Sequence, residues 1–373
     1  MILTNARLIL LNEVIRGTIC VQNGLIEDIQ SGLTTAASAI DLDGDYLMPG
    51  VLDVHTDNLE RQVQPRVTAR WPSRSALLTH DQQCVGAGIT TVLDALCLGN
   101  LGFEPGRIQT FLEGVADIDA LSDLDLLKAN HFLHLRCEVP APDMLELLDP
   151  VAEHPRVRMV SLMDHTPGFG QYADLDRYRF LRLREGQTEE AVEQRISHTQ
   201  AQRARNRDGQ RRAVLARMGG RGLALASHDD RTEAEIAENA ADGIRISEFP
   251  VTMEAAIAAR AHVMQVVAGA PNIVRGGSHS GNVSAADLIR AEAVDVFASD
   301  YFPSSLVEAA FLCGEQIGLP ASVALVTDRP ARMVGLPDRG RIETGLRADL
   351  VRVRPHQGLT AIREVWREGT RVA

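Results

Sequence analysis

An imidazole and a carboxylate stand two residues apart in Val51-Leu52-Asp53-Val54-His55-Thr56-Asp57, directly after a Pro49-Gly50 turn. On a strand, residues i and i+2 share a side, so His55 and Asp57 converge on one point, as a metal site requires. The same residue types recur at the ends of later apolar runs: Glu138 after Leu135-Arg136-Cys137, His165 after Asp164, His228 in Ser227-His228-Asp229-Asp230, and Asp300 after Ser299. A lone histidine at a strand end is ordinarily just a hydrogen-bonded residue, but five such ends are hard to assign to chance. His55, Asp57, Glu138, His165, His228 and Asp300 are therefore the candidate metal ligands. Three imidazoles and three carboxylates suit one or two divalent ions, Zn²⁺ first, with Mn²⁺ or Fe²⁺ as alternatives. Glu138 would bridge a pair of ions about 3.5–4 Å apart. Water on such an ion falls from a pKa of 15.7 to about 7, and Asp300 is the candidate to take its proton. His228 is the second catalytic candidate. His165 and Asp229 either ligate or hold a ligand imidazole in its tautomer.

Elements that present residues in this way follow from the pattern. Strand-like runs cover Val51 to His55, Ile89 to Ala95, Phe132 to Val139, Val157 to Met163, Leu223 to Ser227, Ile244 to Phe249, Val263 to Ala268 and Val294 to Ala298. Helical patterns such as Ser75 to Ala87, Thr232 to Ala241 and Thr252 to Ala261 lie between them. Eight β/α repeats predict an α/β protein with a (β/α)₈ barrel over residues 51–339, whose chemistry belongs at the C-terminal strand ends. Both chain ends are β-rich, with a hairpin signal at Asn23-Gly24, which predicts a small β-sandwich domain from residues 1–50 and 340–373. Residues 168–222 are too long for a βα connection and carry Tyr172, Arg177, Tyr178, Arg179, Arg182 and Arg184 before a polar helical run from Thr188 to Met218. Such an insert is either a functional lid or oligomer contact, or a solvated helical hairpin.

Arg275-Gly276-Gly277-Ser278-His279-Ser280 follows the seventh strand. Glycines admit a ligand close to the backbone, and consecutive N–H groups with the two serines form an anion nest. Barrel loops after strands seven and eight commonly bind phosphate; the alternative is a tight structural turn. Arg61 and Arg66 beyond the first strand, and Arg136 on the face of Glu138, add guanidiniums whose planar fork suits phosphate oxygens. Arg61, Arg66, Arg136 and residues 275–280 are thus the candidate substrate-binding set.

Composition bounds the rest. The 373 residues carry a net charge of −12, which argues against a general nucleic-acid binder but leaves room for a local cationic site. Five scattered cysteines and no C-x-x-C indicate reduced thiols in a cytoplasmic protein. The N-terminus lacks a signal-peptide pattern, and no apolar run is long enough for a membrane span. A homo-oligomer, a dimer by default, is expected.

His55-Thr56-Asp57, Glu138, His165, His228 and Asp300, with a β domain split between the chain ends, resemble the amidohydrolase superfamily. That superfamily's first-strand motif is His-x-His; here the second position is Asp57, and its carboxylated lysine is absent. A narrower resemblance, over nearly the whole chain, is to the diphosphatases of the carbon–phosphorus lyase pathway. It is carried by His55-Thr56-Asp57-Asn58-Leu59-Glu60, Ser161 to Gly168, Ala226 to Asp230, Gly269 to Asn282 and Ser299 to Leu306. The resemblance implies metal-dependent hydrolysis of ribose 1-methylphosphonate 5-triphosphate, a phosphorylated sugar, to the 5-phosphate and pyrophosphate, with attack at the α-phosphorus. The rival expectation is carbon-centred chemistry on a cyclic amide, or deamination.

Overall fold

The computed structural model describes residues 1–66, 68–102, 106–278 and 281–373. His279 and Ser280 of the Gly-rich segment therefore lie outside the described residues. The eight apolar runs form eight parallel strands: Val51–Thr56, Ile89–Leu98, Asn130–Glu138, Val157–Met163, Ala224–His228, Ile246–Glu248, Gln265–Gly269 and Val296–Ala298. Each pairs with the next in chain order. Their near-continuous apolar character follows from burial on both faces: Leu52, Val54, Leu93, Met159, Ala226 and Val267 join one cluster inside the barrel, while Leu96, Leu133, Leu135 and Val160 pack outward under helices. The first and last strands meet at the candidate ligands. Asp300 N donates to His55 O at 3.0 Å and Asp57 N to Asp300 O at 2.7 Å. Below them, buried Asp53 Oδ1 accepts from Ser299 N at 3.1 Å and from His55 N at 3.2 Å.

Both chain ends contribute to a second, mixed sheet of eight strands. The hairpin at Asn23-Gly24 joins Val14–Gln22 to Leu25–Ser31, with both turn residues at positive φ (52° and 79°), as the turn type favoured in two-residue hairpins demands. This sheet rolls over its own core of Leu8, Ile19, Ile26, Leu47, Leu350 and Trp366. Its far strands come together where Ile26 N donates to Leu346 O and Ala348 N to Gly24 O, both at 2.8 Å.

The long connection after the fourth barrel strand contains helix Leu175–Arg184 and the thirty-residue helix Glu189–Met218. The latter serves two purposes. Val214 and Met218 near its C-terminus belong to the main core, and Gln210 Nε2 donates to Ala141 O at 2.7 Å, so this half is an ordinary barrel-covering helix. Its N-terminal part leaves the barrel wall and packs Val192 and Ile196 against Tyr178 of the preceding helix.

Candidate metal centre

Six strand ends deliver the site. His55 and His228 are both oriented by Glu248, which closes the short sixth strand: each Nδ1 donates to one of its carboxylate oxygens at 2.7 Å. Glu248 is fully buried, and its two imidazole partners outweigh the cost of that burial and hold its carboxyl well below the ordinary carboxylate range. With both Nδ1 atoms committed, both Nε2 atoms are turned toward carboxylates: His55 Nε2 lies 3.5 Å from Asp57 Oδ1, and His228 Nε2 lies 3.7 Å from Asp229 Oδ2. A buried carboxylate–imidazole pair is how proteins fix the tautomer of a metal ligand.

Two groups of potential ligand atoms result, each lying within 4.8 Å of one another: His55, Asp57 and Asp300; and His165, His228 and Asp229. The second passes a direct test of fit. Asp229 Oδ2 is buried without a hydrogen-bond partner, yet stands 3.7 Å from His228 Nε2 and 3.9 Å from His165 Nε2. A buried oxygen left unsatisfied between two imidazole nitrogens is costly in the bare chain and suited to a cation. Backbone strain accumulates here as well. Asp229, Phe249 and Asp300 take φ of 59°, 55° and 56°, a region non-glycine residues occupy at a cost of about 1–3 kcal/mol each.

Asp57 also accepts from Arg136 Nη1 at 2.6 Å. Burial raises the Asp57 carboxyl, but Arg136 and His55 more than offset it and hold the group ionised. Asp300 faces the opposite balance. Burial and the neighbouring Asp57 carboxylate push it above the usual carboxylate range.

The site opens into two cavities that share Asp57, Arg136 and Gln171 as lining. One, of about 230 Å³, is lined by His55, His228, Asp229 and Asp300 and by Phe249, Asn272, Ser278 and Asn282. The other, of about 580 Å³, is lined by Glu138 and His165 and by four arginines, Arg107, Arg136, Arg182 and Arg195.

These positions redraw several expectations. His55, Asp57, His165, His228 and Asp300 come together as anticipated. Glu138 does not join either group of potential ligands: its Oε2 accepts from His165 Nδ1 at 2.6 Å and its Oε1 from His165 N at 2.8 Å. Both oxygens thus contact His165, one through its ring and one through its backbone N–H. Glu248 was not anticipated, although Ile246-Ser247-Glu248 ends a strand as the others do. Asp229 was anticipated, like His165, either as a ligand or as the support of a ligand imidazole, and it stands with His165 and His228 in the second group.

Of the arginines, only Arg136 lines a cavity where expected. Arg61 is exposed and donates to Tyr301 O at 2.6 Å; Arg66 and Arg275 are exposed and line neither cavity. Gly276 is exposed and Gly277 half-buried, while Ser278 lines the smaller cavity. The cationic wall comes instead from Arg107, in the first turn of helix Gly106–Asp123, and from Arg182 and Arg195 of the insert.

No protein-family model matches this chain. Among solved structures it is similar to N-acetyl-D-glucosamine-6-phosphate deacetylase from Mycobacterium smegmatis (TM-score 0.65, 16% identity, 100% of both chains covered). It is also similar to 5-methylcytosine deaminase from Klebsiella pneumoniae (TM-score 0.63, 16% identity, 100% of this chain and 98% of the other). At such identities these likenesses establish the fold alone, an eight-stranded parallel barrel with a second sheet built from both chain ends. A stronger similarity, 41% identity over 377 residues and 100% of both chains, is to alpha-D-ribose 1-methylphosphonate 5-triphosphate diphosphatase of Escherichia coli (strain K12). By that full-length identity, the chain belongs to the family of alpha-D-ribose 1-methylphosphonate 5-triphosphate diphosphatases.

Proposed function

We propose that this chain hydrolyses α-D-ribose 1-methylphosphonate 5-triphosphate to the 5-phosphate and pyrophosphate, using one or two divalent ions, Zn²⁺ first. The observation that carries the reading is the adjacency of the histidine–carboxylate centre to a cavity walled by four arginines. A leaving pyrophosphate needs such a wall; a neutral cyclic amide does not.

His55, Asp57 and Asp300 on one side, and His165, His228 and Asp229 on the other, would hold the metal. A divalent ion there supplies the positive charge that acidifies water and stabilises charge on phosphoryl oxygens. The chain's own residues supply the rest. Arg136, pinned by Asp57, stands where the two cavities meet and would sit at the α-phosphoryl group. Asp300 accepts the proton of the attacking water as the new oxygen–phosphorus bond forms. The bond from the α-phosphorus to the α,β-bridging oxygen breaks, and its electron pair departs with pyrophosphate into the arginine-lined cavity. Removing one preorganised donor aimed at developing charge typically costs about 10²–10³ in rate. The sugar end occupies the smaller cavity, where Asn272, Ser278 and Asn282 offer hydrogen bonds to hydroxyls.

Turnover in ¹⁸O-labelled water, followed by phosphorus NMR, tests the reading. Label in the 5-phosphate supports attack at the α-phosphorus. Label in pyrophosphate would move the attack to the β-phosphorus. No pyrophosphate from metal-loaded protein would remove the reading.

A further inference from the structure

The insert carries a small core of its own where it meets the site. Tyr178, Val192 and Ile196 form a small core, with Tyr172 and Leu175 packed against it. Both of its helices begin on side-chain caps: Asp174 accepts from Arg177 N at 3.0 Å and Thr188 from Ala191 N at 3.2 Å. Arg182 is held on this core. Its guanidinium carbon lies 5.1 Å from the Tyr178 ring centroid and 5.7 Å from that of Tyr172, and its Nη1 donates to Glu185 Oε2 at 2.8 Å. Arg195 stands on the same helix as Val192 and Ile196, which anchor its backbone to this core, and its Nη2 donates to Gly102 O at 3.3 Å. Both guanidiniums line the larger cavity from the insert side, while Asp57, Arg136, Glu138 and His165 line it from the strand ends. Burial, reinforced by the neighbouring Arg182 charge, lowers the pKa of Arg195. Glu185, the ion-pair partner of Arg182, lines the same cavity, so the two guanidiniums are held there on the protein's own contacts and present their cavity side to a ligand.

We infer that Arg182 and Arg195 read the β- and γ-phosphates of the substrate, so that the insert counts phosphates and selects a 5-triphosphate over a 5-diphosphate; this rests on the diphosphatase reading above. A diphosphate ester has one phosphate beyond the α position and leaves one of these guanidiniums facing no phosphate. Charge-assisted contacts to phosphate are among the strongest a site can make, and a site built around them rejects the analogue that lacks the partner. Arg182 and Arg195 are binding residues that set specificity, whereas Tyr172 and Tyr178 are positioning residues that act through Arg182.

The test compares kcat/KM on the sugar 5-triphosphate and 5-diphosphate for the metal-loaded wild type, Arg195→Gln, Arg182→Gln and Arg182→Lys. Calorimetric binding of inorganic pyrophosphate and of orthophosphate is measured on the same proteins. The wild type should favour the triphosphate by on the order of 100-fold. Each glutamine variant should cut that ratio about tenfold or more and weaken pyrophosphate more than orthophosphate, with Arg182→Lys in between. Arg182 stacks on the insert's core, so thermal midpoints accompany the kinetics, and Arg195→Gln stands as the independent variant. An unchanged ratio, or equal losses on both substrates as a purely structural role would produce, overturns the inference while pyrophosphate release by the wild type keeps the parent reading intact. Should the wild type release no pyrophosphate, the parent reading falls. Pyrophosphate affinity lost in both glutamine variants would then still uphold the phosphate-reading role, and unchanged affinity would overturn it.

Discussion

His80, Asp94 and His131 bring two imidazoles and a carboxylate together as closely as His55, Asp57 and Asp300 bring their own groups together. In the first cluster every ring nitrogen is spent on protein. Asn58 Nδ2 donates to His80 Nδ1 at 2.9 Å, and His80 Nε2 donates to Asp94 Oδ1 at 2.7 Å. His131 donates from both nitrogens, to Asp94 Oδ2 at 2.8 Å and to Asp81 Oδ1 at 3.2 Å. In the second, only the Nδ1 of His55 is committed to the distant Glu248; its Nε2 faces Asp57 at 3.5 Å, and the cluster lines a cavity. Location follows the same division. His131 stands one residue into its strand, at the barrel end associated with stability, while the ligand set stands at the C-terminal ends. Residue type alone does not make a metal site; uncommitted valence facing a cavity does.

The largest effect should come from removing a ligand imidazole. His228→Ala is expected to bring pyrophosphate release to background and to strip bound metal, read by elemental analysis, while leaving the fold in place. Retained metal and turnover would mean that the wrong cluster has been chosen. Asp94→Asn should do the converse. It leaves buried charge without its partner, so urea unfolding should show a loss of about 3–5 kcal/mol, with metal per folded chain unchanged. A variant that lost metal but kept its stability would erase the distinction between the clusters.

The third contrast is with pH. Burial pulls the His131 imidazole down, but Asp94 and Asp81 outweigh it and raise it from 6.5 to about 9. Its folded pKa lies above its unfolded one, so its contribution is complete below about pH 6.5 and fades as pH rises through about 9. At 1.36 kcal/mol per unit this is about 3 kcal/mol. Unfolding midpoints from pH 6 to 10 should therefore fall in the wild type and stay flatter in His131→Gln; parallel curves would deny the cluster its charge. The smallest effect belongs to Glu248→Gln. The amide retains one acceptor for two imidazoles, and loss of such support lowers metal affinity or turnover by about 10–100-fold. Equal affinity in this variant would show that the Nδ1 contacts do not orient the ligands.

How much was readable beforehand depended on the kind of element. The strand ends were legible because alternation tells which side chains share a face: His55 with Asp57, and Arg136 with Glu138. Glu248 obeys the same rule, but the predicted run Ile244 to Phe249 extends one residue past the observed strand Ile246–Glu248 and so hides Glu248 as its end. The commitment of Glu138 to His165 was not readable, since it depends on how the third and fourth strands align laterally. The arginines failed for a different reason. Arg182 and Arg195 stand on polar helices whose surface pattern looks the same in solvent or over a cavity, and only the docking of Tyr178 onto Val192 and Ile196 decides between them. Arg275 illustrates the converse error. A Gly-rich segment in the right loop suggested a phosphate nest, but the helix Ala270–Val274 ends just before Arg275 and leaves that side chain exposed.

The barrel's seam runs through the site, with Asp300 paired to His55 and Asp57 and Ser299 to Asp53, 246 residues away in sequence. Such distant pairings are slow to form, and domains generally fold as their chains emerge during synthesis. Until the ribosome has delivered residue 300 and the last strand has found the first, the chain holds all three imidazoles but only part of the centre. On the roles proposed above, a chain that ends before residue 300 lacks the proton acceptor Asp300, and activity would arrive together with a closed barrel.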